Sequence, residues 1–220
     1  VTGNSLNYDL GFRAFALVCE IQDAEAKYIV DRHHSVYPGV RQYHAWIRAQ
    51  LSKNRTLINC LGRRRLFTSR WGDELYKEAY AFIPQSTVAD IINERGLSFI
   101  MDNPLSRGCE LLNQVHDSLV IQISYEKVPV IRHAEMLKRI VDSLQTPISY
   151  RGMSFSIPAD THVGITLNKK KLVGVPVNEF STVHELAREL SRIHEEVRAS
   201  HFIQDMDCYI SDSSLYEEEV

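Results

Sequence analysis

The sequence lacks the features that mark several common classes of protein. It has no Cys-x-x-Cys pair, because its four cysteines are widely separated, at Cys19, Cys60, Cys109 and Cys208. That spacing argues against a zinc site or a disulfide framework and indicates reduced thiols in an intracellular protein. No apolar run is long enough to span a bilayer, Val1 begins no signal peptide, and no internal repeat is present. These absences predict a cytoplasmic protein that does not associate with a membrane.

What the sequence does contain is an ordinary globular composition. Its 220 residues can form one large domain or two small ones with a sizeable core. The formal net charge of −3 does not indicate a nucleic-acid-binding protein by itself. The charge is nevertheless uneven, because acidic residues gather at the end of the chain and basic residues in several internal stretches.

The apolar pattern places most helices before most strands along the chain. The predicted helices cover residues 4–21, 23–35, 40–51, 73–95 and 128–144, and the strand-like segments cover residues 56–60, 148–155 and 161–167. Gly11 can divide the first helix, Pro84 should kink the fourth, and Gly96 should end it. The order favours an α+β fold, with a small antiparallel sheet that carries helices on one side.

A further helix is predicted near the end of the chain, and it carries a heptad pattern. Its apolar residues are spaced three, four, three and four apart, at Val183, Leu186, Leu190, Ile193 and Val197. Thr182 and Glu185 form a capping box at its start. The pattern allows two interpretations, a helix docked on its own domain or a contact with another chain. Residues 201–220 are polar and acidic, and we expect them to form a mobile tail.

A β-hairpin is predicted over residues 108–124, GCELLNQVHDSLVIQIS, where two apolar runs flank His116-Asp117. Asp tolerates the backbone angles of a tight turn. A carboxylate at the tip of a buried hairpin has a rigid support and can hold a divalent cation. Two other interpretations stay open. The aspartate can simply cap a structural turn, or the pair can be the His-Asp ligand pair of a metal phosphohydrolase.

Three stretches in order resemble the DNA polymerase I group, family A of the DNA polymerases, over about residues 4–167. QVHDSLVIQ, residues 114–122, is similar to the motif whose aspartate binds catalytic metal on a palm hairpin. IPQSTVADII, residues 83–92, is similar to the Pro-x-Gln-Gly-Thr-Ala-Ala-Asp helix of the palm. VYPGV, residues 36–40, is similar to the Tyr-Pro-Gly-Val between finger helices, and LGRRR, residues 61–65, is similar to the Gly-Arg-Arg that follows a strand.

The sequence departs from the family pattern in a way that resembles phage-type members. Ser118 stands where many members have Glu, and Ser86 where they have Gly. Pro84 is shifted by one position, and the segment after about Leu172 has no counterpart in the family's short ending.

The resemblance implies three regions and a set of site residues. Residues 1–70 would be fingers-like, residues 71–175 palm-like, and residues 176–220 a C-terminal helix and acidic tail. Asp117 would bind catalytic Mg²⁺, two ions being expected in an assembled site, and His116 would lie near the primer terminus. Tyr8 would stack on the incoming base or exclude the wrong sugar. The expected DNA contacts are Gln85 in the minor groove and Arg63, Arg64, Arg65 and Lys77 on phosphates.

The resemblance also implies that one catalytic carboxylate is missing, because the family needs a second aspartate on an earlier strand, expected upstream of Val1. We therefore expect a truncated or split DNA-directed DNA polymerase, a nucleotidyltransferase of DNA replication that is inactive alone. Its expected partners are primer-template DNA, deoxynucleoside triphosphates and an N-terminal polymerase chain or segment. The alternative is a non-catalytic nucleic-acid-binding or assembly protein that has a polymerase-like half-fold.

Overall fold

The computed structural model of the protein describes residues 2–103 and 108–213. The chain divides into two compact units. Unit 1 comprises Val1–Asp90 and Ile148–Gly152, and unit 2 comprises Ile91–Pro147 and Met153–Val220. The functional boundaries expected near residues 70 and 175 stay predictions.

Unit 1 begins with four helices, α1 Thr2–Asn7, α2 Phe12–Cys19, α3 Asp23–Val36 and α4 Pro38–Asn54. The predicted break at Gly11 is confirmed, because Gly11 is the extended residue that precedes α2. Pro38 occupies the first turn of α4, where its missing N–H costs no helical hydrogen bond. Arg55 ends α4 in the left-handed conformation, at φ 53°.

A short hairpin and a long helix follow. Strands β1 Thr56–Ile58 and β2 Arg64–Leu66 pair antiparallel, and helix α5 runs Asp73–Ile91. Pro84 lies inside α5 and cannot donate to the carbonyl of Tyr80 one turn earlier. The hydroxyl of Tyr43 donates to that carbonyl instead, at 2.9 Å. The proline is therefore accommodated by a side chain from α4.

Among the described residues, unit 1 has two apolar cores. One packs α1, α2 and α3 together through Leu6, Phe15, Ala16, Ala26 and Val30. The other joins α4, the β1–β2 hairpin and α5, and its largest fully buried residues include Ile47, Leu51, Leu57, Phe67 and Tyr80. A further strand, β5 Ile148–Tyr150, belongs to unit 1.

The prediction that Gly96 ends a helix is wrong. The chain passes from α5 into a π-helix, Ile92–Leu97, and then into α6, Ser98–Asp102. A Cβ on Gly96 would lie 2.5 Å from Cδ1 of Leu119 and 3.1 Å from Cδ2 of Leu144. Gly96 therefore permits close packing and does not terminate the helical path.

Unit 2 contains strands β3 Cys109–Val115 and β4 Ser118–Ile123, helix α7 Val130–Leu144 and strand β6 Met153–Phe155. Strands β7 His162–Val163 and β8 Val173–Gly174 pair antiparallel. Two 3₁₀ turns, Lys169–Lys171 and Val177–Glu179, precede the last helix, α8 Val183–Ser213.

The core of unit 2 lies between α7 and α8. Leu186, Leu190 and Ile193 of the heptad pattern are buried in one cluster with Ala134 and Val141 of α7. Of the two interpretations, the structure therefore supports the helix docked on its own unit. The capping box is confirmed, since the Thr182 amide donates to Glu185 at 3.1 Å and the Glu185 amide to Thr182 at 3.2 Å.

The prediction of a mobile tail from residue 201 is wrong as far as Ser213, because α8 continues to that residue. Its remainder, residues 214–220, lies outside the described residues. The predicted α+β class with antiparallel strands is confirmed. In the described part of the chain, no helix is both long enough and apolar enough to cross a membrane.

Candidate functional site

The candidate site is centred on the two-residue turn between β3 and β4. Val115 pairs with Ser118, so that His116 and Asp117 alone form the connection. His116 takes a positive φ of 54°, which a histidine adopts more readily than a β-branched residue would. The Ser118 hydroxyl donates to the carbonyl of Val115 at 2.8 Å and closes the turn. The predicted hairpin and its turn at His116-Asp117 are confirmed.

The same hairpin is not buried, and that part of the prediction is wrong. His116 and Asp117 are exposed, and Leu112 and Val115 are 52% and 43% exposed. Leu112 lies at a register shift, where Leu111 pairs with Ile121 and Asn113 with Val120. The apolar side chain of Leu112 therefore does not indicate a buried position. The consequence for chemistry is favourable, because the Asp117 carboxylate is open to a cation or to another chain.

The π-helix supports the hairpin near its tip. The side-chain amide of Gln114 donates from Nε2 to Oδ1 of Asn93 at 3.1 Å. Leu119 packs close to Gly96 on the same π-helix. Asn93 was not predicted from the sequence, because a π-helix has no distinct apolar period and the contact joins residues 21 positions apart.

Aromatic side chains from two helices hold the segment that leaves the hairpin. Tyr125 follows β4 and stacks on His194 of α8, with ring centroids 3.5 Å apart and an angle of 11°. The edge of His133, from α7, meets the same ring at 4.6 Å. The Tyr125 hydroxyl donates to the carbonyl of Leu190 at 3.4 Å, and burial raises its pKa. Together these contacts anchor the exit of the hairpin to α7 and α8.

The turn offers one carboxylate as a ligand for a divalent cation. Asp117 is a single exposed carboxylate on a tight turn, the kind of hard oxygen ligand that Mg²⁺ prefers. In the described part of the chain, no group of three or more His, Cys, Asp and Glu side chains is placed to hold a metal ion.

The other expected site residues lie in unit 1. Gln85 is exposed on α5. Arg63 donates from Nε to Oδ1 of Asp90 at 2.8 Å and also pairs with it through Nη2. Asn59 donates to Oδ2 of Asp90 at 2.6 Å. Burial alone would raise the pKa of Asp90, but the hydrogen bonds from Arg63 and Asn59 outweigh it and lower the pKa.

The remaining expected DNA-binding cations differ in whether they already contact other side chains. Arg65 pairs with Glu78 and lies over the ring of Phe67, 4.9 Å from its centroid. Arg64 on β2 and Lys77 on α5 are exposed. Tyr8 is half-buried and packs against the core that joins α4 and α5. The structure thus brings Gln114, His116 and Asp117 together in unit 2, whereas Gln85, the arginines, Lys77 and Tyr8 belong to unit 1.

Comparisons with known proteins agree with this description. The family model of DNA polymerase family A matches residues 5–169. The chain therefore belongs to DNA polymerase family A. The fold is also similar to the POL domain of Pol1 from M. smegmatis in complex with DNA primer-template and dNTP, with a TM-score of 0.55 and 23% identity. The alignment covers 70% of this chain and 27% of that one. No curated protein matches.

Proposed function

We propose that this chain contributes to template-directed DNA synthesis, the transfer of a nucleotide to a primer 3′-OH. The observation that carries the proposal is the exposed His116-Asp117 turn on a hairpin of a family A chain. The polymerase domain of known structure is much longer than the matched part of this chain, since the alignment covers only 27% of that domain's chain. The substrates proposed for this chain are primer-template DNA and deoxynucleoside triphosphates.

In this proposal Asp117 holds Mg²⁺, which supplies charge stabilisation for phosphoryl transfer when it is bound. The hairpin fixes the direction of the carboxylate, because the turn is closed by Ser118 and the strand beside it is held by Asn93 through Gln114. His116 precedes Asp117 on the exposed turn and is proposed to contact the primer terminus.

A second carboxylate must come from another polypeptide segment. One aspartate can bridge two Mg²⁺ ions about 3.5–4 Å apart, but it cannot by itself complete the site that holds both ions. We therefore propose that an N-terminal polymerase chain or segment, beyond these 220 residues, completes the site. The exposed position of Asp117 leaves it open to such a partner.

Unit 1 is proposed to bind DNA. Arg64 and Lys77 are exposed and suited to phosphate contacts, and Gln85 can donate and accept hydrogen bonds in the minor groove. Arg63 and Arg65 are already paired with Asp90 and Glu78, so their proposed phosphate contacts would add to a structural role. Tyr8 is proposed to contact the incoming nucleotide.

The test is a primer-extension assay with the purified chain, with and without a polypeptide that carries the upstream part of the family's polymerase domain. We expect no incorporation by the chain alone and Mg²⁺-dependent incorporation by the mixture. Asp117→Asn should reduce the mixture's rate by at least about a hundredfold, because a neutral amide is a poor Mg²⁺ ligand. Asp160→Asn, a change at another exposed aspartate, is the control.

The outcomes separate the competing functions. Primer extension by the chain alone would contradict the need for a second carboxylate. If the mixture assembles and binds DNA but Asp117→Asn changes no rate, the non-catalytic binding protein is correct. Hydrolysis of nucleotides by the chain alone would instead support a metal phosphohydrolase.

A further inference from the structure

A half-exposed tryptophan lies on a positively charged part of unit 1. Trp71 stands between β2 and α5 and is 51% exposed. The guanidinium carbon of Arg55 lies 4.4 Å from the centre of its ring. Arg55 thus covers one part of the ring, while about half of the residue faces solvent. We call Trp71 and Arg55 the Trp71 platform.

The guanidinium of Arg55 is fixed in place by the backbone. Its Nε donates to the carbonyl of Phe67 at 2.7 Å, and its Nη2 donates to the carbonyl of Ser69. Both acceptors are neutral, so they hold the side chain without cancelling its charge. The platform is therefore a preorganised arrangement of a flat aromatic ring and a full positive charge.

The sequence around the platform is strongly basic. Residues 48–77 contain eight Lys and Arg against two Asp and Glu, which is a net charge of 8 − 2 = +6, whereas the whole chain has −3. Seven of the eight cations are exposed. Arg48, Arg63 and Arg65 pair with acidic residues outside the segment, and the other four are Lys53, Arg64, Arg70 and Lys77. Positive charge is thus concentrated in the one segment that also exposes a tryptophan.

We propose that the Trp71 platform binds single-stranded DNA by stacking an unpaired base on Trp71. A polyanion is complementary to the +6 segment, and the ring supplies the stacking surface that single-strand-binding proteins use. A duplex hides the faces of its bases, and an acidic peptide has no regular series of flat rings. The identification of that strand as the unpaired template ahead of synthesis rests on the proposed function. The binding of single-stranded DNA by itself does not.

The test uses the full chain and an oligonucleotide of twelve thymidines, which forms no secondary structure. The chain has two tryptophans, Trp46 and Trp71, so comparison with Trp71→Phe isolates the emission of the platform from that of Trp46. We expect saturable quenching in low salt. Trp71→Ala should weaken binding, measured by anisotropy of a labelled oligonucleotide, by about tenfold. Trp71→Phe should abolish the quenching but keep most of the affinity.

The control is Tyr28→Ala, which removes another exposed aromatic side chain, 70% exposed on α3. It should leave the affinity unchanged. Equal affinity of Trp71→Ala and the unchanged chain would overturn the proposal. Equal affinity and quenching with a blunt duplex of the same phosphate number would also overturn it, because phosphates alone would then account for binding. Neither result depends on whether the chain supports primer extension.

Discussion

Arg63 was expected to contact DNA, but its contact with Asp90 serves the fold. Asp90 is 4% exposed, and its carboxylate receives hydrogen bonds from Arg63 and Asn59. Thr87, on the same helix, accepts a hydrogen bond from the backbone amide of Cys60 at 3.3 Å. These contacts connect the segment after β1 to α5. A basic run in a sequence therefore contains members with different roles.

We expect Arg63→Ala to lower the free energy of unfolding by about 2 kcal/mol, because it leaves the buried Asp90 carboxylate without its charged partner. The half-exposed position of Arg63 keeps the cost below that of a fully buried pair. Arg64→Ala, at an exposed position on β2, should change it by less than about 0.5 kcal/mol.

Urea unfolding of both variants measures the two values. Equal, small effects would show that Arg63 does not stabilise the fold. DNA affinity should respond in the opposite order. Arg64→Ala should weaken DNA binding more than Arg63→Ala does, since the charge of Arg64 is exposed to a phosphate.

A second residue-scale prediction concerns pH. His133 is 4% exposed and burial lowers its pKa, although its hydrogen bond with the Val128 carbonyl acts in the other direction. Tyr125 and His194 are the titratable groups near it, and His194 also lowers its pKa. The unfolded chain therefore binds a proton more readily than the folded one. The stability that neutral His133 contributes is complete above about pH 6.5 and is lost as pH falls toward its folded pKa.

We therefore expect His133→Gln to cost more stability at pH 7.5 than at pH 5. Denaturant unfolding of both proteins at the two pH values measures the difference. A cost that is larger at pH 5 would contradict the direction of the pKa shift.

At the scale of elements, local signals in the sequence were sufficient for the break at Gly11 and for the hairpin turn. Gly11 acts on its own backbone, and the apolar runs around His116-Asp117 define the pairing. Burial of the hairpin was not predictable, because it depends on what covers each face. The role of Gly96 was missed for the same reason, since Leu119 and Leu144 come from distant elements.

The hairpin and α8 supply the next prediction. His194→Ala removes the ring that stacks on Tyr125, so we expect amide exchange in residues 109–124 to become about threefold to tenfold faster. His194→Phe should restore slow exchange, because it keeps an aromatic ring. His184→Ala, at an exposed position on the same helix, is the control.

This effect would connect a segment outside the family match, which ends at residue 169, to the hairpin that carries Asp117. Unchanged exchange in His194→Ala would show that the stack does not hold the hairpin. In the proposed primer-extension mixture, we expect the same variant to lower kcat more than it changes KM.

At the scale of the whole molecule, family membership was predictable and the division of the core was not. Three short motifs predicted the family, because they resemble the family's motifs and follow one another in the same order along the chain. The α+β class followed from the order of apolar patterns. The heptad pattern identified the buried face of α8, but its partner was left open because either α7 or another chain can cover such a face.

The described cores lie within one unit or the other, so a cavity should act mainly on the unit that contains it. Leu190 is 3% exposed in the core between α7 and α8, and Leu51 is 1% exposed in the core that joins α4 and α5. We expect each Leu→Ala change to cost about 3 kcal/mol. Leu190→Ala should speed amide exchange in α7 and α8 more than in α4, and Leu51→Ala should do the reverse. Equal acceleration in all three helices by either variant would mean that the chain opens as one cooperative unit, because a cavity in one core would then be felt throughout.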